Sequence, residues 1–323
     1  MKSEETVFHR IREACAWVAQ EAHWVKVDPD ALAALAKHLL SHASQASVSD
    51  PAHQRLSDPA AALPFVVCMD AINFGSGWFP ELKKNQGLSG YLTLSGFLRE
   101  HFESGASMEA GELCQFTQED CARIFKQDLE KPPVAELMNL FAMALRDLGN
   151  FIEDRYSGSF YSMIDSAGQS AAALVECLAE MPLYRDSAHY RGEEIPFYKR
   201  AQITCADLSQ AFEGQGPGRF KDLDQLTLFA DNLVPHVLRM EGVLIYEESL
   251  VERINQGDLI PVGSEEEVEI RAVAVHAVEL ICEEMAGERA SLVPHQVDYL
   301  LWNHGQSPTI KATPRHRTRC SFY

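Results

Sequence analysis

Asp231 is the residue whose setting most needs a chemical explanation. It falls in the stretch Phe220–Leu250, where apolar residues recur at Leu226, Phe229, Leu233, Val237 and Met240. Spacings of three and four predict a helix packed on a core, with Asp222 and Gln225 as its capped start. Asp231 lies on a second face with Val234 and Leu238. Pro235, four residues on, has no N–H to offer the Asp231 carbonyl, so a kink is expected there. A carboxylate on an apolar-flanked face beside a broken backbone hydrogen bond is costly unless something polar meets it, which marks the wall of a site.

Three other clusters carry chemistry-bearing residues. In Leu63–Leu82 an apolar segment holds Asp70, then Asn73 and Phe74, before the bend Gly75-Ser76-Gly77. If Val66–Phe74 is helical, the acid, the amide and the aromatic share one side. Such a set holds a flat heterocycle by edge and face. The competing reading is a capping acid beside core aromatics. In Pro196–Leu208, Lys199 and Arg200 open a helix. Cations are disfavoured at that end of the dipole unless an anion sits between them and the helix; the alternative is that both reach solvent. Glu269, Arg271 and His276 interrupt a long apolar helix. Arg271 should pair with a buried acid, since an unpaired buried cation is expensive, and His276 reads as a satisfied core histidine.

The elements that must position these side chains are almost all helical. Helical spacing covers residues 4 to 25, a helix opened by Asp28-Pro29, Thr93–Phe102, Thr117–Phe125, Pro132–Tyr156, Ser166–Met181, Glu247–Gln256, and a capped helix from Ser264. Glu153 and Asp154 read as solvated. Ser41–Ala62, rich in Ser, Asp, Ala and Pro, reads as a surface loop, and Gly214, Gly216 and Gly218 as a turn without a phosphate-binding pattern. Strand signals are few, so the expected class is all-α. The expected organisation is N-terminal helices and a loop over 1–62, packed on a body over 63–323, or else one continuous domain over 1–323. The tail ends on Phe322-Tyr323 and is expected to dock.

Totals narrow the function. Among 323 residues, 47 Asp and Glu face 28 Lys and Arg, for a formal charge of −19. That argues against a DNA or RNA polymer as partner but admits a small phosphorylated ligand held by a few local cations. The eight cysteines are scattered singly, with no zinc-type pairing, and no stretch approaches the ~18 apolar residues of a membrane span. No metal site is expected, and a cytoplasmic location is. No serine or cysteine triad and no nucleotide fingerprint is present.

Several motifs in order do carry a likeness. Phe197-Tyr198-Lys199-Arg200-Ala201-Gln202-Ile203, Phe220-Lys221-Asp222, Phe229-Ala230-Asp231 with Pro235, Glu267-Val268-Glu269-Ile270-Arg271, Asp298-Tyr299 with Trp302, and the tail Pro314–Cys320 together resemble the queuosine salvage protein family. Its members are queuosine 5′-phosphate N-glycohydrolases. The resemblance, strongest from about residue 63 onward, implies an all-helical enzyme with a partial likeness to helical DNA glycosylases. It implies hydrolysis of queuosine 5′-monophosphate to queuine and ribose 5-phosphate, with no cofactor. It implies Asp231 as the catalytic carboxylate at C1′ and Lys199 beside the phosphate or ribose. Asp70, Asn73, Phe74 and Tyr198 then fall to the base, and Arg200, Glu269, Asp298 and Trp302 complete the expected substrate-binding set. The rival expectation is a non-catalytic helical module that binds a modified base or nucleotide.

Overall fold

The computed structural model describes residues 6–42, 56, 58–287 and 291–323. Most of the predicted loop Ser41–Ala62 lies outside the described residues. The chain forms two compact units from interleaved segments. The first comprises Met1–Val48, Asp186–Lys199 and Asp224–Arg319, and the second Ser49–Arg185, Arg200–Leu223 and Cys320–Tyr323.

The first unit is built around the helix Glu265–Glu284. Ser264 accepts the Glu267 amide at its N-terminus, and three glutamates occupy the first turn, where the dipole favours them. From Glu267 to Val275 every residue is buried, which explains the absence of a polar stripe in its sequence. The helix Val7–Glu21 and the helix Pro29–His42 pack on it. Asp28 opens the second of these, its Oδ1 accepting the amides of Asp30 and Ala31 at 2.9 Å each. Val25–Val27 pairs antiparallel with Leu244–Tyr246. Ser187–Tyr190 and Glu193–Pro196 form a hairpin closed by Arg191 and Gly192, both at positive φ (48° and 93°). That is the primed turn whose twist suits paired strands.

The second unit is organised by the 25-residue helix Pro132–Tyr156, against which Ala62–Ala71, Ala110–Leu113, Gln118–Ile124 and Phe160–Ser166 pack. Gly149 permits the close approach of Ala110–Leu113. A Cβ there would stand 2.7 Å from the Ala110 carbonyl and the Cys114 amide. Thr117 and Asp120 form a reciprocal cap at the start of Gln118–Ile124, and Glu153 and Asp154 are exposed. The C-terminus docks as expected. The Gly75 amide donates to the Tyr323 carbonyl at 2.9 Å, and Tyr323 is buried.

The fold is mostly helical, but the stretch Phe220–Leu250 is not the continuous helix its periodicity predicts. Leu226–Ala230 is buried non-helical chain, and the helix runs only from Val234 to Met240. Pro235 therefore sits in the first turn, where its missing N–H disturbs nothing, and the expected kink does not occur. The apolar spacing had another cause: a fully buried irregular segment shows apolar residues at almost any period. Asp222 also caps a different helix. Its carboxylate accepts the amides of Ala171 (2.6 Å) and Ala172 (3.1 Å) and the Ser170 hydroxyl (2.9 Å), closing the N-terminus of Ala171–Leu178.

Two measurements follow from this architecture. Asp222→Ala removes that long-range cap and should cost about 1–2 kcal/mol, read as a lower Tm. Burial also holds three histidines of the first unit neutral: His236 and His295 are lowered to about 4, and His316 to about 3 with nearby arginines adding to the effect. Their unfolded forms titrate near ~6.5. Between these values the unfolded chain binds more protons than the folded one, so stability falls as pH drops below about 6.5 and the loss levels off near the folded values. Calorimetry near pH 5 in several buffers should register uptake of about three protons on unfolding from these groups.

Candidate active site

Asp231 sits at a junction held on both sides. The Phe229 amide donates to Asp298 Oδ1 at 3.1 Å, and the Ala230 carbonyl accepts from Arg271 Nε at 3.0 Å. Asp231 Oδ1 accepts the amides of Leu233 (2.7 Å) and Val234 (3.1 Å), so one carboxylate oxygen caps the short helix Val234–Met240. No hydrogen bond reaches the other oxygen among the described residues, and the side chain is only half-buried. An anchored, partly accessible carboxylate is the arrangement needed to meet a developing positive charge. Arg315 lies within electrostatic reach of it; burial lowers the Arg315 pKa and the Asp231 charge opposes that.

The turn Phe197–Lys199 belongs to the same unit. Tyr198 adopts φ 48°, a left-handed conformation that costs a bulky L-residue ~1–2 kcal/mol. The Asp186 carbonyl holds it there by accepting the amides of Phe197 (2.9 Å) and Tyr198 (3.1 Å). The Asp186 carboxylate accepts the Lys199 amide at 3.0 Å. The anion expected at the start of the helix Lys199–Ala211 thus includes a side chain of the protein itself, 13 residues upstream. Lys199 is buried and Tyr198 half-buried.

Arg271 connects these two pieces. Its two terminal nitrogens donate to the two Asp186 oxygens at 2.9 and 2.6 Å, Glu267 stands 3.7 Å away, and the Phe197 ring centroid lies 4.0 Å from the guanidinium carbon. The buried acid expected for Arg271 is Asp186, which the sequence reading did not single out. No local spacing signals a partner 85 residues away.

The remaining predicted residues of this unit fall in two places. Asp298 is buried against the Phe229 amide, and Tyr299, beside it in sequence, meets the Phe229 ring edge-on at 6.3 Å. Trp302 is half-buried one turn on. Glu269 points elsewhere: Oε2 accepts the amides of Trp24 (2.6 Å) and Val25 (3.1 Å), and Oε1 accepts the Tyr190 hydroxyl (2.8 Å). Those bonds tie the central helix to the strand Val25–Val27 and the hairpin, and no hydrogen bond joins Glu269 to the Asp231 junction.

In the second unit Asp70, Asn73 and Phe74 lie at the C-terminal end of Ala62–Ala71, all buried. Asn73 and Phe74 fall just beyond the helix, in a turn where the Phe74 amide donates to the Ile72 carbonyl at 2.7 Å. Arg200 joins them. Its guanidinium donates to the carbonyls of Ala71 and Leu183 and lies between the rings of Phe74 (4.7 Å) and Tyr184 (4.6 Å). Arg200 is buried and does not reach for solvent. Burial raises the Tyr184 phenol, Arg200 opposes the shift and Asp70 reinforces it. Asp70, Phe74, Tyr184 and Arg200 therefore form one electrostatic cluster, in which Tyr184 is an addition to the sequence-based set.

Three buried cysteines are poorly placed to act as nucleophiles. All eight cysteines are free, and burial pushes the thiols of Cys15, Cys68 and Cys205 up, against thiolate formation. Among the described residues no group of three His, Cys, Asp or Glu side chains is set to hold a metal ion.

Comparison with known proteins agrees with the motifs. The sequence matches the family model described as queuosine salvage protein over residues 52–323. A Sphaerobacter thermophilus protein named queuosine 5′-phosphate N-glycosylase/hydrolase is 38% identical over 315 residues, 95% of this chain and 95% of its own. Proteins of the same name from Dictyostelium discoideum (31%) and Mus musculus (30%) each align with 97% of this chain and 98% of their own length. With the match extending through the Asp231 junction, the Tyr198–Lys199 turn and the Arg271 helix, the chain belongs to the queuosine salvage protein family.

Proposed function

We propose that this protein hydrolyses the N-glycosidic bond of queuosine 5′-monophosphate, releasing queuine and ribose 5-phosphate, with Asp231 as the carboxylate at C1′. The observation that carries the reading is the similarity to queuosine 5′-phosphate N-glycosylase/hydrolases along nearly the whole of both chains. A half-buried carboxylate anchored through one oxygen stands at the family's Phe-Ala-Asp motif.

In the reaction the bond from C1′ to the base nitrogen breaks, water supplies the new oxygen at C1′, and a proton passes to the departing base. Positive charge builds on the ribose as the bond stretches, and a carboxylate beside C1′ stabilises it. Purine hydrolases can activate the leaving base by protonating N7. A 7-deazapurine has carbon there, so more of the barrier falls to the carboxylate, as nucleophile, as base for water or as electrostatic partner. Lys199 serves the phosphate as a point charge. Asp70, Asn73, Phe74 and Tyr198 serve the base, with Asp70 receiving the protonated amine of the queuine side chain and Arg200, Asp298 and Trp302 lining the substrate. Glu269, committed to Trp24, Val25 and Tyr190, supports the framework in this reading. The charge of −19 favours a free nucleotide over an RNA polymer. No helix among the described residues is long and apolar enough to cross a membrane.

Incubation with queuosine 5′-monophosphate and mass-spectrometric detection of queuine and ribose 5-phosphate tests the reaction. Tight binding without turnover would identify a binding module instead. Asp231→Asn keeps the shape and removes the charge; kcat should fall about 10²–10³-fold, and a near wild-type rate would remove Asp231 from the mechanism. Lys199→Ala should lose more activity on the 5′-phosphate than on the nucleoside, whereas equal losses would contradict a phosphate role.

A further inference from the structure

We infer that Arg271 and Asp186 form a positioning pair for the reaction: their buried ion pair sets the Asp231 carboxylate against the Tyr198–Lys199 turn and so controls kcat without touching substrate. The inference rests on the reading of Asp231 and Lys199 as reacting residues.

The pair's bonds end at the residues that matter. The guanidinium spends Nε on the Ala230 carbonyl, the peptide immediately before Asp231. Its two terminal nitrogens go to the two oxygens of Asp186. Asp186 then holds three consecutive amides: Phe197 and Tyr198 through its carbonyl, and Lys199 through its carboxylate. Between the backbone at Asp231 and the backbone at Lys199 the path is therefore one guanidinium and one carboxylate, each link between 2.6 and 3.0 Å.

An ion pair serving stability alone has no need of this placement. Both side chains are 2% exposed, and burying two charges roughly cancels their attraction. Hydrophobic side chains of similar volume could fill the same space. What they could not do is donate along two directions in one plane, which only the guanidinium fork provides. The turn supplies a second, independent sign. Tyr198 is held in a left-handed conformation by bonds to the same Asp186, and such conformations persist where surrounding structure over-determines them. The Phe197 ring, 4.0 Å from the guanidinium, closes the remaining face, and Glu267 at 3.7 Å adds a second anion on the next turn of the same helix. These contacts restrict the Arg271 fork to one orientation.

Arg271→Lys separates charge from geometry. A lysine keeps the positive charge but cannot serve both Asp186 oxygens and the Ala230 carbonyl in one plane. Misplacement by about 1 Å of reacting groups costs up to ~10²-fold, so kcat for queuosine 5′-monophosphate should fall about 10–100-fold, with KM within about threefold of wild type. Asp186→Asn keeps the volume and an acceptor for the Lys199 amide and should show the same split; it carries the test if Arg271→Lys does not fold. The decisive readout is a double-mutant cycle. When Asp231→Asn is already present, Arg271→Lys should cost less than about threefold, because there is no longer a charge to position. Guanidinium ion should partly restore kcat to Arg271→Ala. All rates are taken per folded molecule, by circular dichroism. A kcat within about twofold of wild type in Arg271→Lys and Asp186→Asn, or fully additive losses in the cycle, overturns the inference. A wild-type protein that releases no queuine overturns the hydrolase reading instead, and an active Asp231→Asn overturns the choice of carboxylate.

Discussion

The buried pair Arg271–Asp186 is the constraint on which the first unit depends. An arginine 2% exposed in the middle of an apolar helix is tolerable only if every polar face of the guanidinium is met. Meeting them requires the Ala230 carbonyl to come in from one side and Asp186 from another. Once Asp186 is committed there, its carbonyl and carboxylate dictate the path of Phe197, Tyr198 and Lys199. A single desolvated cation thus converts an energetic liability into a fixed geometry for three chain segments far apart in sequence.

The second unit solves a smaller version of the same problem. Arg200 is also buried, and its partners include two backbone carbonyls and two aromatic faces. The carbonyls of Ala71 and Leu183 become acceptors for a cation, and the end of Ala62–Ala71 is thereby held next to Phe74 and Tyr184. Arginine suits both places because its charge is planar, can stack on a ring and can donate in several directions at once. Lysine, a compact and strongly hydrated ammonium, would leave donors unmet in either setting.

Family membership and geometry bear on different parts of the functional conclusion. Similarity at 38% identity over 95% of both chains speaks to the reaction. The hydrogen bonds speak to how a carboxylate is presented: Oδ1 of Asp231 occupied by two amides, the peptide before it held by Arg271, and no bond on Oδ2 among the described residues. The buried thiols of Cys15, Cys68 and Cys205, by contrast, are pushed away from ionisation.

Local chemistry was legible in the sequence wherever it acts over a few residues. The Asp28-Pro29 start, the Ser264 cap and the long apolar helix behind it were each read from spacing and are present. So was the need of Arg271 for a buried acid, since desolvation of a cation is a property of the residue and its apolar neighbours. The identity of that acid was not legible, because nothing near Asp186 in sequence distinguishes it from a surface aspartate. The same reason explains why Asp222 was assigned to the wrong helix, and why Leu226–Ala230 passed for helix when full burial had erased its period. Sequence alone determined which residues had to be satisfied. Only the tertiary structure decided by which partners, because those partners lie 41 and 85 residues from Arg271 and are brought together by packing that no local pattern encodes.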